Sequence, residues 1–227
     1  GVIVTATPNL KDWAGTPLKD IIEDRFNLPT YVDNDGNVAA LGEWWIGGGR
    51  GARCLLCLTI GTGIGSGIVY EGKVFRGAKG VGAELGHMSI KYDGIRCNCG
   101  GIGCIEAYAS GPALMKKLQE KGKFFETPDE IQQAAESGDR IVLEAVKEIG
   151  ALLGYAMVSF INIFNPDIIL LSGGVSNLGD FLIGPVRDIV DTYALPGGRD
   201  VKIGRAVLGE NAGVVGAAAL VYLKGAK

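Results

Sequence analysis

The stretch "CLLCLTIGTGIGSGIVYEGKVF", residues 54–75, decides how the rest of the chain is read. Its centre, Thr59–Gly67, contains overlapping glycine spacings that match part of a dinucleotide-binding fingerprint. That fingerprint requires a strand before it and a helix opening directly after it. Cys54–Ile60 is strand-like, but the following "IVYEGKVF" also alternates like strand sequence, so the glycines belong to a β-hairpin. A Walker A loop is excluded because no G-K-[ST] follows. A turn of Gly61, Thr62, Gly63 and Gly65 can still aim successive backbone N–H groups at an anion, with the Thr62 hydroxyl as a further donor. A hairpin turn without any ligand is the alternative. Cys54 and Cys57 form a C-x-x-C, yet residues three apart on a strand point to opposite faces. They read as small core residues, not as a redox pair or a metal half-site.

Outward from the hairpin, helical and strand-like segments alternate. Residues 11–28 carry an amphipathic pattern through Leu18, Ile21, Ile22 and Phe26. "LPTYVDND" (28–35) reads as a short strand running into a loop, and Val38–Trp45 as a helix stopped by "GGGRG". Beyond a glycine-rich stretch ending near Gly103, helices are expected at 111–121, 128–136 and 140–164. The last should stop near Asn165, because Pro166 disfavours helical geometry before it. "DIILLSGGVS" is a buried strand entering a Gly-Gly turn. A helix around 181–193, a strand in "VKIGRAVLG" and a closing helix in "NAGVVGAAALVYL" follow. Such alternation indicates an α/β protein with a largely parallel or mixed sheet. The opening "GVIVTATPNL" also looks like a strand, so the chain is expected to be incomplete at that end.

Composition narrows the functional classes. The 227 residues are 47% hydrophobic with a formal net charge of −3, which favours neither disorder nor an electrostatic grip on nucleic acid. The 37 glycines lack a three-residue period, so they are read as serving turns and close backbone approaches. No run reaches the roughly 18 apolar residues of a membrane span. Five cysteines in a chain of this size do not read as a disulfide framework, and a cytoplasmic location is expected.

The single histidine stands beside three of those cysteines. His87, Cys97, Cys99 and Cys104 follow the pattern H-x9-C-x-C-x4-C, with Asn98, Gly100, Gly101 and Gly103 between them. Zinc takes four tetrahedral nitrogen and sulfur ligands, and a Cys3His set closes its shell as a structural site. A coincidental group of thiols is the alternative. In "YVDNDGNVAALGE", Asp33, Asn34, Asp35 and Asn37 cluster ahead of a helix. A calcium loop counted from Asp33 fails, since its sixth place is Val38 and its twelfth Trp44. Helix capping by Asp35 or Asn37 is one reading. An aspartate facing the crevice at a strand's carboxyl end, able to accept a proton from a hydroxyl, is the other.

Together "TPNLKDW", "VDNDGNVAALGE", "LTIGTGIGSGIV", "GAELGH", "CNCGGIGCIEAYAS", "LLSGGVS" and "GENAGVVGAA" resemble, in order, the ROK (repressor, open reading frame, kinase) sugar kinases, and within them the glucokinases. The resemblance implies the two-lobed actin-like, ribonuclease H-like α/β fold, with sugar and ATP between the lobes. Residues 1–40 with 211–227 would belong to the small lobe and 41–210 to the large one. It implies Asp35 as the base for the sugar's 6-hydroxyl, and Asn9, Asn34, Glu84, His87 and Glu106 as sugar ligands. Gly61, Thr62 and Gly63 would face the ATP phosphates, and Gly173 and Gly174 the region near the adenosine. His87, Cys97, Cys99 and Cys104 would hold structural zinc, and ATP would enter with Mg2+. A homodimer is the expected assembly. The family's first phosphate loop, of the D-x-G-G-T type with its magnesium-associated aspartate, is not in this sequence, so this chain alone is expected to be inactive or impaired. Related kinases for fructose, allose or N-acetylmannosamine, and sugar-responsive repressors carrying an N-terminal DNA-binding module, are the alternatives.

Overall fold

Strand β1 (Cys54–Ile60) alternates its side chains between two hydrophobic cores. Cys54, Leu56, Leu58 and Ile60 face one core, Leu55 and Cys57 the other. The structure, a computed structural model, describes residues 1–4 and 11–225. β1 turns at Gly61–Gly63 into antiparallel β2 (Ile64–Tyr70), with Ile60 opposite Ile64, and β2 pairs with the short β3 (Lys73–Val74). On its other side β1 pairs in parallel with β4 (Ile168–Ser172), and β4 with β5 (Lys202–Arg205). The mixed sheet therefore runs β3-β2-β1-β4-β5. The expected hairpin and the opposite-facing cysteines are both present. Burial pushes the Cys57 thiol up to about 12, as expected of an inert core residue.

One face of the sheet is covered by α4 (Gly111–Glu120), α5 (Pro128–Glu136), α6 (Arg140–Phe164) and α7 (Asp180–Tyr193). The Asp139 carboxylate caps α6 by accepting from the Ile141 and Val142 N–H groups. The helix ends at Asn165, which is left-handed with φ 43°, just ahead of Pro166. Val142, Ile149, Leu153 and Phe160 form its buried stripe. Gly150 and Gly154 let α7 approach closely, since a Cβ on Gly150 would stand 2.9 Å from the Leu182 carbonyl oxygen. No helix among the described residues is long and apolar enough to cross a membrane.

The second face carries α2 (Asp35–Ile46) and α8 (Ala212–Gly225), which pack on each other and on the sheet through Ala40, Leu41, Ala219 and Leu220. Two glycines permit the crossing. A Cβ on Gly42 would meet the Ala212 carbonyl oxygen at 2.6 Å, and one on Gly216 the Val38 carbonyl oxygen at 1.7 Å.

Four expectations need correction. Of the expected opening strand, residues 5–10 lie outside the described residues and residues 1–4 form no strand; Ile3 bonds to the nearby turn, donating to the Thr16 carbonyl and accepting from the Gly15 N–H. Residues 28–34 likewise join no ladder among the described residues, and α2 starts at Asp35, not Val38, because the Asn34 side chain caps it by accepting from the Asn37 N–H. The amphipathic helix shrinks to α1 (Leu18–Phe26). Positive φ at Asp12 and Gly15 precedes it, and none of its residues is buried among the described residues.

Glu43 of α2 is fully buried. Its carboxylate accepts from the Gly48 N–H (2.8 Å), the Val207 N–H (3.2 Å) and the Leu208 N–H (2.7 Å). It thereby joins α2 to the segment between β5 and α8. Removing it would leave three backbone donors without their acceptor, each hydrogen bond contributing about 0.5–1.5 kcal/mol net. Glu43→Ala is expected to lower unfolding free energy by roughly 3 kcal/mol or more in urea denaturation, and Glu43→Gln by less, because its amide oxygen keeps part of the acceptor capacity.

Candidate functional site

A cleft of about 680 Å³ opens at the carboxyl ends of the parallel strands and against the β1–β2 turn. That is where open α/β sheets bind ligands. A second hollow of about 550 Å³ lies at the opposite ends, around Gly48–Ala52 and Asn165–Ile168, and contains none of the candidate residues.

The acidic loop enters the cleft on a braced backbone. Asp33, whose side chain is 7% exposed, pairs with Arg76, whose Nε lies 2.9 Å away. Its other oxygen accepts from the Asn34 N–H and from Asn37 Nδ2, both at 3.0 Å. With Asp33 so occupied, Asn34 and Asp35 remain exposed in the cleft wall, Asp35 accepting, among the described residues, only its neighbour Gly36's N–H at 2.8 Å. Gly36 sets the depth of this approach, since a Cβ there would lie 2.5 Å from the Ser66 carbonyl oxygen.

Glu84 and His87 flank a short 3-10 turn over Leu85–His87. A Cβ on Gly86 would stand 2.0 Å from the Ile64 carbonyl oxygen, so the turn lies directly on the hairpin. The Ser66 hydroxyl fastens it by accepting from the Leu85 N–H at 2.9 Å and donating to the Ala83 carbonyl.

Behind this turn the donor atoms of His87, Cys97, Cys99 and Cys104 all lie within 4.8 Å of one another. Cys97 Sγ is 3.8 Å from His87 Nδ1, and Cys99 Sγ is 3.6 Å from Cys104 Sγ. Ligand bonds of about 2.0–2.3 Å in a tetrahedral shell give donor separations of about 3.3–3.8 Å, so the set is close to fitting zinc. Gly100 and Gly103 take positive φ, 91° and 74°, to fold the loop around this point. Desolvation raises the Cys97 and Cys104 thiols, Cys104 to about 12, while the Gly101 N–H lowers Cys99. With Nδ1 directed at the sulfurs, His87 Nε2 is the nitrogen left for the cleft.

Glu106, the first residue of α3 (Glu106–Ala109), links this loop to the hairpin. Its Oε2 accepts from the Ile64 N–H at 2.8 Å, and its Oε1 lies 3.5 Å from Cys97 Sγ and 3.9 Å from His87 Nδ1. The turn at Gly61–Gly63 is further held by the Gly111 N–H, which donates to the Gly61 carbonyl at 2.8 Å. Gly173, at φ 82°, turns beside β1; a Cβ there would meet the Ile60 carbonyl oxygen at 2.5 Å.

Asn34, Asp35, Gly61, Thr62, Gly63, Glu84, His87, Glu106, Gly173 and Gly174 thus line one cleft, with Cys97, Cys99 and Cys104 clustered beside His87. Asn9 lies outside the described residues. The cleft also includes Thr59, Ser172, Asn177, Arg205 and Glu210, which the sequence reading passed over. Their signal was positional: Thr59, Ser172 and Arg205 stand at the carboxyl ends of β1, β4 and β5.

The ROK family model matches residues 2–224. A glucokinase of Thermotoga maritima is 37% identical over 96% of this chain and 74% of its own length. A xylose repressor of Caldicellulosiruptor bescii is 35% identical over 96% of this chain, which spans 58% of that repressor. Among solved structures, a ROK family glucokinase from Streptomyces griseus in complex with glucose and AMPPNP superposes with a TM-score of 0.84 at 35% identity, covering 97% of this chain and 76% of that one. With that sequence match, the mixed five-stranded sheet and the shared fold, the chain belongs to the ROK family.

Proposed function

We propose that the protein is an ATP-dependent hexose kinase acting on the 6-hydroxyl of glucose. The observation that carries the reading is Asp35 in the same cleft as the Gly61–Gly63 turn and the Glu84, His87 and Glu106 wall. Phosphoryl transfer depends mainly on positioning and on electrostatic stabilisation. Asp35 takes the hydroxyl proton as the oxygen attacks. Asn34, Glu84, His87 and Glu106 orient the sugar, because carboxylates, amides and imidazoles match hydroxyls that both donate and accept. The turn N–H groups and Thr62 meet the donor's phosphates, with Gly173 and Gly174 further along the nucleotide and Mg2+ entering with ATP. Asn9 is assigned to the sugar by its place in "TPNL" alone. The division into 1–40 with 211–227 and 41–210 belongs to the same proposal; α8 packs on α2, but the boundary at 40/41 falls inside α2 and both helices lie on the sheet of the larger part. A cytoplasmic homodimer also belongs to the proposal, and the exposed Tyr155, Ile163 and Tyr193 on α6 and α7 offer an apolar surface for it.

A second reading, a sugar-responsive repressor, draws on the similarity to the xylose repressor. The two separate on turnover. Glucose and MgATP given to a protein in which this chain is joined to a D-x-G-G-T loop should yield glucose 6-phosphate, while the 227 residues alone should yield little or none. Asp35→Asn should reduce the rate about 10²- to 10⁴-fold while leaving glucose affinity within a few-fold. Sugar binding without phosphorylation would favour the repressor, and an undiminished rate in the variant would remove Asp35 from its role.

Zinc in the Cys3His set is part of the proposal. When bound, the ion would fix the loop and the direction of His87. Because Cys97 and Cys104 hold their protons above the ordinary thiol range, ligation must displace them, and affinity must fall as pH falls. Competition with a chromophoric chelator should show weaker zinc binding at pH 6 than at pH 8. Chelated protein should bind glucose more weakly than metal-loaded protein; equal affinity would separate the loop from the sugar.

A further inference from the structure

Arg205 is the single Lys or Arg among the described residues lining the cleft, whose other charged side chains include Asp35, Glu84, Glu106 and Glu210. It ends β5, opposite Leu171 of β4 in the parallel register. Ile203, two residues earlier on the same face, is buried in the core against α7, so Arg205 emerges where that face reaches the cleft. Its Nη2 donates to Asn177 Oδ1 at 2.7 Å. No carboxylate lies within 4.0 Å of it among the described residues. An amide therefore aims the guanidinium without neutralising it.

We propose that Arg205, oriented by Asn177, reads the inner phosphates of the phosphoryl donor. The inference rests on the kinase reading above and assigns a residue to its donor side. A polyanionic donor entering a cleft rich in carboxylates needs a fixed counter-charge, and a guanidinium forms paired hydrogen bonds to phosphate oxygens. Position selects which phosphates. Strands stand about 4.8 Å apart, so β5 lies about 10 Å across the sheet from β1 and its turn. The transferred phosphoryl group sits at that turn, and Arg205 serves the part of the donor that trails toward the nucleoside. Such a contact is made equally in the ground state and the transition state, so it sets donor affinity and leaves kcat nearly unchanged.

Calorimetric titration of adenosine, ADP and ATP, with Mg2+ present, into the unsubstituted protein, Arg205→Gln, Arg205→Lys and Asn177→Ala tests this. Arg205→Gln should weaken ADP and ATP about tenfold to hundredfold and leave adenosine and glucose unchanged. Arg205→Lys should recover part of the loss, and Asn177→Ala should show a smaller one. Glucose binding in each variant establishes that the fold is intact. Equal weakening of adenosine and ATP would place Arg205 on the nucleoside and overturn the assignment, as would unchanged ATP binding. Failure of the unsubstituted protein to bind ATP would remove the donor reading together with it, whereas ATP binding indifferent to Arg205 would remove only the present inference.

Discussion

The arrangement of the cleft depends on one carboxylate shut away from water. Glu43 sits on the helix whose first residue is Asp35, and it is satisfied by backbone donors from two separate loops. A buried charge is tolerated only where hydrogen bonds replace its hydration. Those replacements come from residues 48, 207 and 208, so the carboxylate fixes how α2, the loop after it and the approach to α8 are arranged. Arg205 lies two residues before one of these donors. Asp35 on one wall and Arg205 on the other are thus referred to a common anchor, although neither touches it.

Packing completes what that anchor begins. α2 meets β2 through Gly36 and Gly67, and meets α8 through Gly42 and Gly216. Where two backbones touch directly, no side chain intervenes to relax, and the interior is as closely filled as a crystal. The turn carrying Glu84 and His87 is laid against β2 in the same way at Gly86. Glu106 ties the cysteine loop to the hairpin through the Ile64 N–H, so groups that belong to different stretches of sequence share one rigid support.

Much of this was legible in the sequence, for identifiable reasons. The strand-like composition of Cys54–Ile60 and the alternation in the stretch after the glycine turn announced the hairpin, because period two has no helical counterpart. Pro166 marked the end of α6, and the H-x9-C-x-C-x4-C spacing marked four donors that the fold gathers. What failed was edge detail. Residues 28–35 have the composition of a strand, but no neighbouring strand among the described residues supplies a ladder, and Asn34 instead recruits the following residues into a helix. The pattern in α1 promised burial that no described residue provides. Asn177 and Arg205 carried no motif; what makes them notable is the parallel register of β4 and β5, a non-local fact that no window of sequence contains.

The split duty of Glu106 has a mechanical consequence. One oxygen grips the hairpin backbone and the other leans toward the cysteine loop, so the two sides of the carboxylate are levers on a single pivot. A shift of the cysteine loop by even a fraction of an ångström is felt at Ile64, one residue beyond the turn. The cysteine-loop wall of the cleft and the Gly61–Gly63 turn are therefore positioned together, and a change that reshapes the loop carries the turn along with it.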